Sequence, residues 1–342
     1  MHKESTRPAP TKPSVVGRTS KVKIRPTDDG LHLDGSILWL DSMANGELSF
    51  LSSAAHSDNS DVPQVIATEE TVKILETKRR RPNALICQYN RPFSIGKLKM
   101  ELLPSGSVLG GASLYVESDK GRILYAPQLQ TQKIATVRQM QLKKAQTLIV
   151  GAFHPDPNMA LPNRKRERER LLAVIKKYIA EGQYPNVLVH PISTAQELTK
   201  FLVENDIPVA CHRAIHRVNR VYEAYGSHLG DYSLYNPRFK KNKKVILLPF
   251  EDNRVRRPLP SGPNLYIEES FSSAGYDQFS ESEDRFFISS TCDGRELREV
   301  ISAVSPKEVF VFGPYAKSYA HELKNSCKSV KPLYSNDQPT LF

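Results

Sequence analysis

The chain changes its style of alternation about halfway along, and that change limits the folds open to it. Between about residues 22 and 125, short apolar runs alternate with turns. Leu98, Met100 and Leu102 share one face of a strand. Leu114 with Val116 and Ile123 with Tyr125 read as the arms of a hairpin around Asp119-Lys120-Gly121. A short helix fits Glu69–Thr77 with Thr68 as its cap, and Pro82 forces the basic run at 78–81 into a loop. From residue 147 onward, strands at 147–150, 187–189, 245–248, 265–267, 286–289 and 309–312 alternate with longer amphipathic helices. One helix starts near Arg164 with Leu171, Leu172, Ile175, Tyr178 and Ile179 as its apolar stripe. A second turns Leu198, Phe201 and Leu202 inward, and a third carries Ile215, Val218, Tyr222 and Tyr225. Two more fit 295–304 and 316–325, while 227–244 reads as a basic loop. A strand-rich first half followed by βαβ-like units implies an α/β protein whose sheets are covered by helices.

Charge is uneven along the 342 residues. The first 25 carry seven basic residues and one acidic, a net +6, so only +5 of the total +11 belongs to the rest. Residues 1–21, rich in Pro, Ser, Thr and Lys, read as a disordered basic tail. Three further clusters are basic: 78–81, 164–170, and 238–244 with Arg254, Arg256 and Arg257. The run from Arg164 to Arg170, five basic and two acidic residues, suits a helix face laced by ion pairs one turn apart. In the last cluster Tyr232, Tyr235 and Phe239 interleave with Arg238, Lys240, Lys241, Lys243 and Lys244, a pairing of rings and cations that suits single-stranded nucleic acid. Solvated surface is the plainer alternative for all three. The four cysteines, Cys87, Cys211, Cys292 and Cys327, have no close pairing, which suits a reducing compartment. With no apolar run near membrane length, the expectation is a soluble, cytoplasmic protein with no membrane partner.

One stretch carries chemistry. The apolar run Ile37-Leu38-Trp39-Leu40 ends in Asp41, and Phe50-Leu51-Ser52-Ser53-Ala54-Ala55-His56-Ser57-Asp58-Asn59 has the layout of a strand running into a tight loop that bears His and Asp. This order resembles the metallo-β-lactamase superfamily, whose loop reads His-x-His-x-Asp-His after a strand ending in Asp. Here the pattern is Ala54, His56, Asp58 and Asn59, with two of the four ligand types gone. The resemblance continues over roughly residues 30–342, toward the bacterial ligase-associated exonucleases and the messenger-RNA 3′-end processing nucleases. Their Pro-Ala-Gly-His-x-Leu-Gly-Ser-Ala segment stands here as Pro104-Ser105-Gly106-Ser107-Val108-Leu109-Gly110-Gly111-Ala112, with Ser107 at the His. Their Ser-Gly-Asp is Ala126-Pro127-Gln128, and their Ser-Asp-His-Ala-Asp is Ser289-Ser290-Thr291-Cys292-Asp293. The family's Glu after the next strand is missing from 148–154, while 193–198 looks like its Gly-x-x-Gln-Glu segment.

The resemblance implies a metallo-β-lactamase-like αββα sandwich, with its first half at 22–160 and its second part at 259–342. A small inserted α/β region of β-CASP type would span 161–258. It also implies two metal ions that activate water. One ligand set would read Ala54, His56 and Ser107, the other Asp58, Asn59 and Thr291, with Gln128 as the bridge. A catalytic zinc normally has three protein ligands, and each set keeps one. The expectation is a catalytically degenerate nuclease-like protein in DNA or RNA processing or repair, with no metal or other cofactor. It would bind nucleic acid or partner an active nuclease, a ligase or a helicase. Two alternatives stay open. One is an active zinc- or manganese-dependent exonuclease drawing substitute ligands from His154, His190 or His212; the other is a scaffold that binds only protein. For His56 and Asp58 themselves, a hydrogen bond to Asp41 and a turn cap are the structural reading. Cys211, His212 and His216 have helical metal spacing but no further local ligand. Finally, Gln338, Leu341 and Phe342 resemble the Gln-x-x-Leu-Phe peptide that docks on bacterial sliding clamps, with closure of the domain by an apolar end as the alternative.

Overall fold

The computed structural model describes residues 24–27, 30–42, 48–55, 64–78, 81–238, 243–250, 259–270 and 284–333. Three sheets and six α-helices are formed among them. The first sheet has six strands in chain order, from Ile24–Thr27 to Ala84–Ile86. The second has seven and is mixed. Its antiparallel half is the meander Phe93–Ile95, Leu98–Pro104, Ala112–Ser118 and Gly121–Ala126. Its parallel half adds Thr147–Gly151, Glu308–Phe312 and Val330–Pro332. The expected hairpin is present, with Tyr125 opposite Leu114 and Ile123 opposite Val116.

Strand alternation explains how these two sheets pack. In Gly121–Ala126 and Thr147–Gly151, Ile123, Tyr125 and Ile149 join a core with Leu31, Leu38, Phe50 and Ile66 of the first sheet. Their neighbours Leu124, Leu148 and Val150 point the other way, onto helices α5 (Gly294–Val304) and α6 (Ala316–Glu322). The far side of the first sheet is covered by α1 (Glu69–Thr77), whose Val72 and Leu75 share a cluster with Val65 and Ala67. Thr68 caps α1 through its hydroxyl, as the sequence predicts.

The third sheet has six strands and every pairing in it is parallel. Parallel strands need crossovers, and α2 (Arg164–Ala180), α3 (Thr194–Val203) and α4 (Arg213–Ala224) supply helical cover. Leu171, Ile175, Leu198, Leu202 and Ile215 pack against Val187, Val189, Val209, Val245 and Leu247. Tyr222 on α4 also reaches the first sheet's helix-side cluster, tying the third sheet to the rest.

Three sequence expectations need correction. The segment 227–244 is not all loop: Tyr232–Leu234 pairs in parallel with Val209–Cys211 and forms the sheet's edge. The helix expected at 316–325 ends at Glu322, and a 3-10 turn, Leu323–Ser326, follows. The third sheet also recruits Asn264–Glu268 and Arg285–Phe287, strands that lie past residue 258. No helix among the described residues is long and apolar enough to cross a membrane.

Candidate functional site

Asp41 ends the third strand of the first sheet in a left-handed conformation, φ 45°, which Asp adopts more readily than most residues. Its carboxylate accepts the Ser52 N–H at 2.7 Å and the Tyr125 hydroxyl at 2.9 Å. Burial raises its pKa above the ordinary carboxylate value, against the opposing pull of both hydrogen bonds. These two bonds fasten the start of the His/Asp-bearing stretch onto the second sheet. Ala54 is fully buried among Leu51, Val65 and Leu75, so its side chain serves packing, while its carbonyl accepts from the Lys78 ammonium at 3.3 Å. His56, Asp58 and Asn59 lie outside the described residues.

The other replaced positions are linked through a floor of hydroxyls and amides. Ser107 and Ser105 share a hydrogen bond of 2.9 Å between their side chains. Gly106 between them has φ 79°, and a Cβ there would lie 2.4 Å from the Gln130 carbonyl, so only glycine allows the two segments to approach. Gln130 in turn donates its side-chain amide to the Ser289 carbonyl at 3.0 Å. Gln128, two residues earlier, is buried, and the intervening Leu129 carbonyl accepts the Cys292 N–H next to Thr291. Ser107, Gln128 and Thr291 therefore lie on segments that are hydrogen-bonded to one another.

Thr291 does not point an open oxygen into this floor. Its Oγ1 lies 3.0 Å from Nε2 of His154, with Ser289 Oγ 3.3 Å from the same nitrogen. Burial holds the His154 ring down at about 4, although Asp293 and Thr291 pull its pKa upward. The ring is therefore neutral near pH 7, and its Nδ1 is buried without a hydrogen-bond partner. A residue named only as a substitute ligand thus occupies the space behind a ligand position. Nothing local in the sequence signals this contact across 137 positions.

A buried ion pair closes the back of the floor. Arg164 (5% exposed) forks onto Glu197 (1% exposed), with Nε at 3.1 and 3.0 Å from the two carboxylate oxygens. The same guanidinium donates to the Ser289 carbonyl, and Arg168 adds a second contact to Glu197 at 2.7 Å. The sequence places Arg164 on a solvent-facing helix, and its inward turn is a correction. The Arg170–Glu167 and Lys165–Glu169 pairs, one turn apart, do follow the sequence pattern. Ser193, before α3, has φ 78° and ψ −81° and gives its hydroxyl to the Ser107 carbonyl at 2.5 Å.

His190, His212 and Cys211 do not converge on this floor. His190 Nδ1 is 2.9 Å from the Ile192 carbonyl, and His212 caps α4 by accepting the Ala214 N–H. Cys211 is buried against Thr199 and Asn219, and burial pushes its thiol up to about 12. His216 packs its ring on Tyr232 at 5.5 Å. Among the described residues, no three His, Cys, Asp or Glu side chains form a group suited to a metal ion. Of the replaced positions that are described, Ala54 offers no donor, Ser107 and Thr291 offer hydroxyls and Gln128 an amide, which do not fit the two-metal chemistry of the resembled nucleases.

Of the basic and aromatic cluster, Tyr235, Arg238, Lys243 and Lys244 are described, and Phe239, Lys240 and Lys241 are not. Arg238 is exposed, Tyr235 is half-buried, and Lys244 Nζ lies 2.9 Å from Ser233 Oγ. The tail residues Gln338, Leu341 and Phe342 also lie outside the described residues.

Two proteins similar in sequence carry the names of a probable DNA ligase and an RNase J-like protein. The chain is 22% identical over 303 residues to a probable DNA ligase of Opitutus terrae, covering 86% of this chain and 29% of the ligase. It is 24% identical over 163 residues to an RNase J-like protein of Methanocaldococcus jannaschii, covering 45% of this chain and 37% of that one. The chain thus spans well under half the length of either relative. A crystal structure of a protein of unknown function from Enterococcus faecalis superposes with a TM-score of 0.54 at 14% identity, over 85% of this chain and 80% of that one. No family model matches the sequence.

Proposed function

We propose that the chain is a catalytically degenerate, metallo-β-lactamase-like nuclease module that serves nucleic-acid processing as a binding or partner subunit. Its two facing sheets, with α1 outside one and α5 and α6 outside the other, support the αββα reading. The third sheet supports an inserted β-CASP-like region that begins near residue 161 and runs on to Phe287. The observation that carries the proposal is the hydroxyl floor. Thr291 is engaged by His154, Ser107 by Ser105, and Gln128 supplies no carboxylate, so the convergent anionic and imidazole donors of a two-metal site are missing from these positions. The relatives' names, a probable DNA ligase and an RNase J-like protein, support DNA or RNA as the partner.

Metal content after dialysis, measured with cleavage of labelled single-stranded DNA and RNA in added zinc or manganese, tests this. Substoichiometric metal, no cleavage and saturable, salt-sensitive binding are expected. Stoichiometric metal with cleavage abolished by His56→Ala would establish the active alternative instead.

A further inference from the structure

Helix α4 carries a row of cations that the sequence clusters leave out. Arg213, Arg217 and Arg220 recur at i, i+4 and i+7, so they lie along one face over roughly 10 Å of helix. The opposite face buries Ile215, Val218 and Tyr222 and fixes which way the arginines point. Arg220 is paired with Glu223 at 2.9 Å. Among the described residues, neither Arg213 nor Arg217 has an acidic partner, and the first turn of α4 contains no acidic residue.

The fold sets this row beside the edge strand and the described residues that flank it. Tyr232–Leu234 runs parallel to Val209–Cys211, and the Tyr235 N–H donates to the Cys211 carbonyl at 2.8 Å. Tyr235 therefore leaves the sheet next to His212, the cap of α4. The His216 ring lies against Tyr232, and Lys244 returns to Ser233. Leu234 is 51% exposed on this outermost strand, and Arg238 and Lys243 are exposed beside it. Uncompensated cations, a half-buried tyrosine and an exposed apolar side chain thus share one edge, a composition that fits a phosphate backbone with unstacked bases.

We propose that α4 and the edge strand form a single surface for one strand of nucleic acid, with Arg213 and Arg217 contacting phosphates and Tyr235 offering a face to a base. This rests on the reading of the chain as a nucleic-acid protein and adds where the strand lies. The surface is at the C-terminal edge of the third sheet's outer strands and is built apart from the hydroxyl floor.

The experiment titrates the full chain against a labelled single-stranded oligonucleotide by fluorescence anisotropy over a salt series. Arg213→Ser/Arg217→Ser is compared with a charge-matched control on exposed α2 positions, Lys176→Ser/Lys177→Ser, after circular dichroism confirms that both fold. The arginine variant is expected to bind about tenfold more weakly at 0.1 M salt. Its log–log salt slope should be shallower by about 1.4, the loss of two phosphate contacts, while the control matches the parent. Parent binding with equal behaviour of both variants overturns the surface and leaves the functional proposal standing. No saturable binding by the parent overturns the nucleic-acid reading and this surface together.

Discussion

Beneath Asp41 and Thr291, polar groups taken out of water are mostly matched to one another, with His154 Nδ1 and Arg168 Nε as exceptions. Asp41 meets Ser52 and Tyr125, Thr291 meets His154, and Glu197 meets two arginines. At the edge of the third sheet, Arg213 and Arg217 sit on a helix with no carboxylate to meet them among the described residues. The first arrangement uses most of its own hydrogen-bonding capacity internally and so acts on the fold. The second leaves charge available, which is what the proposed nucleic-acid surface would use. Mutations should separate the two, costing stability in one region and binding in the other.

The largest effect is expected at Glu197. Glu197→Ala strands the buried Arg164 guanidinium and takes the carboxylate from the half-buried Arg168, and breaking a buried pair in this way costs about 3–5 kcal/mol. Urea denaturation of this variant against Glu169→Ala, an exposed member of an ion pair, measures the contrast. A loss at Glu197 no larger than at Glu169 would put the floor and the surface in one class.

Next comes His154. Its ring is held at about 4 in the fold and near 6.5 in the unfolded chain, so the unfolded state takes up a proton first as pH falls. Stability is full above pH 6.5 and is lost across the window down to about 4, by about 3 kcal/mol in total. Asp41 acts in the opposite sense on acidification because burial raises its pKa. The informative quantity is therefore the difference between His154→Gln and the parent as a function of pH. A flat difference between pH 7 and 4 would mean that the ring titrates normally.

Thr291→Val keeps the shape and removes the hydroxyl that faces His154 Nε2, which should cost about 1–3 kcal/mol, while Thr291→Ser costs less. Equal melting temperatures for the two variants would show that the hydroxyl is idle. The smallest stability effect belongs to Lys243→Ser/Lys244→Ser, within about 0.5 kcal/mol of the parent. That variant should nevertheless flatten the salt dependence of nucleic-acid binding, as the arginine variant does. A clear drop in stability with unchanged binding would move these lysines to the structural class.

Much of the fold is local and could be read from the sequence. Thr68 and the apolar spacing of 69–77 specify a capped helix, and Asp119-Lys120-Gly121 between alternating apolar residues specifies a hairpin. The strand Tyr232–Leu234 escaped because its three residues sit among polar and basic neighbours, and only the parallel partner Val209–Cys211 makes them a strand. The site was legible at its motif positions, through Ser105-Gly106-Ser107 and Ser289-Ser290-Thr291. Its meaning was not, because the groups that engage those residues are far away in sequence: His154 is 137 positions from Thr291. Arg164 misled for the opposite reason. Its neighbours obey a solvated-helix pattern, and its own partner Glu197 comes from another helix.

Ser193 joins the two parts of the molecule at some expense. Its φ of 78° and ψ of −81° describe a γ-turn conformation that strains any residue with a side chain, by about 1–3 kcal/mol. The hydroxyl that offsets this strain reaches a carbonyl 86 residues earlier in the chain. That bond links the third sheet's region to the segment containing Ser107, and it adds to the bonds that the Gln196 and Glu197 N–H groups of α3 make to the Ser193 carbonyl. The strained entrance of α3 thus draws its hydrogen bonds from both parts of the molecule, and a change in either part is felt at this turn.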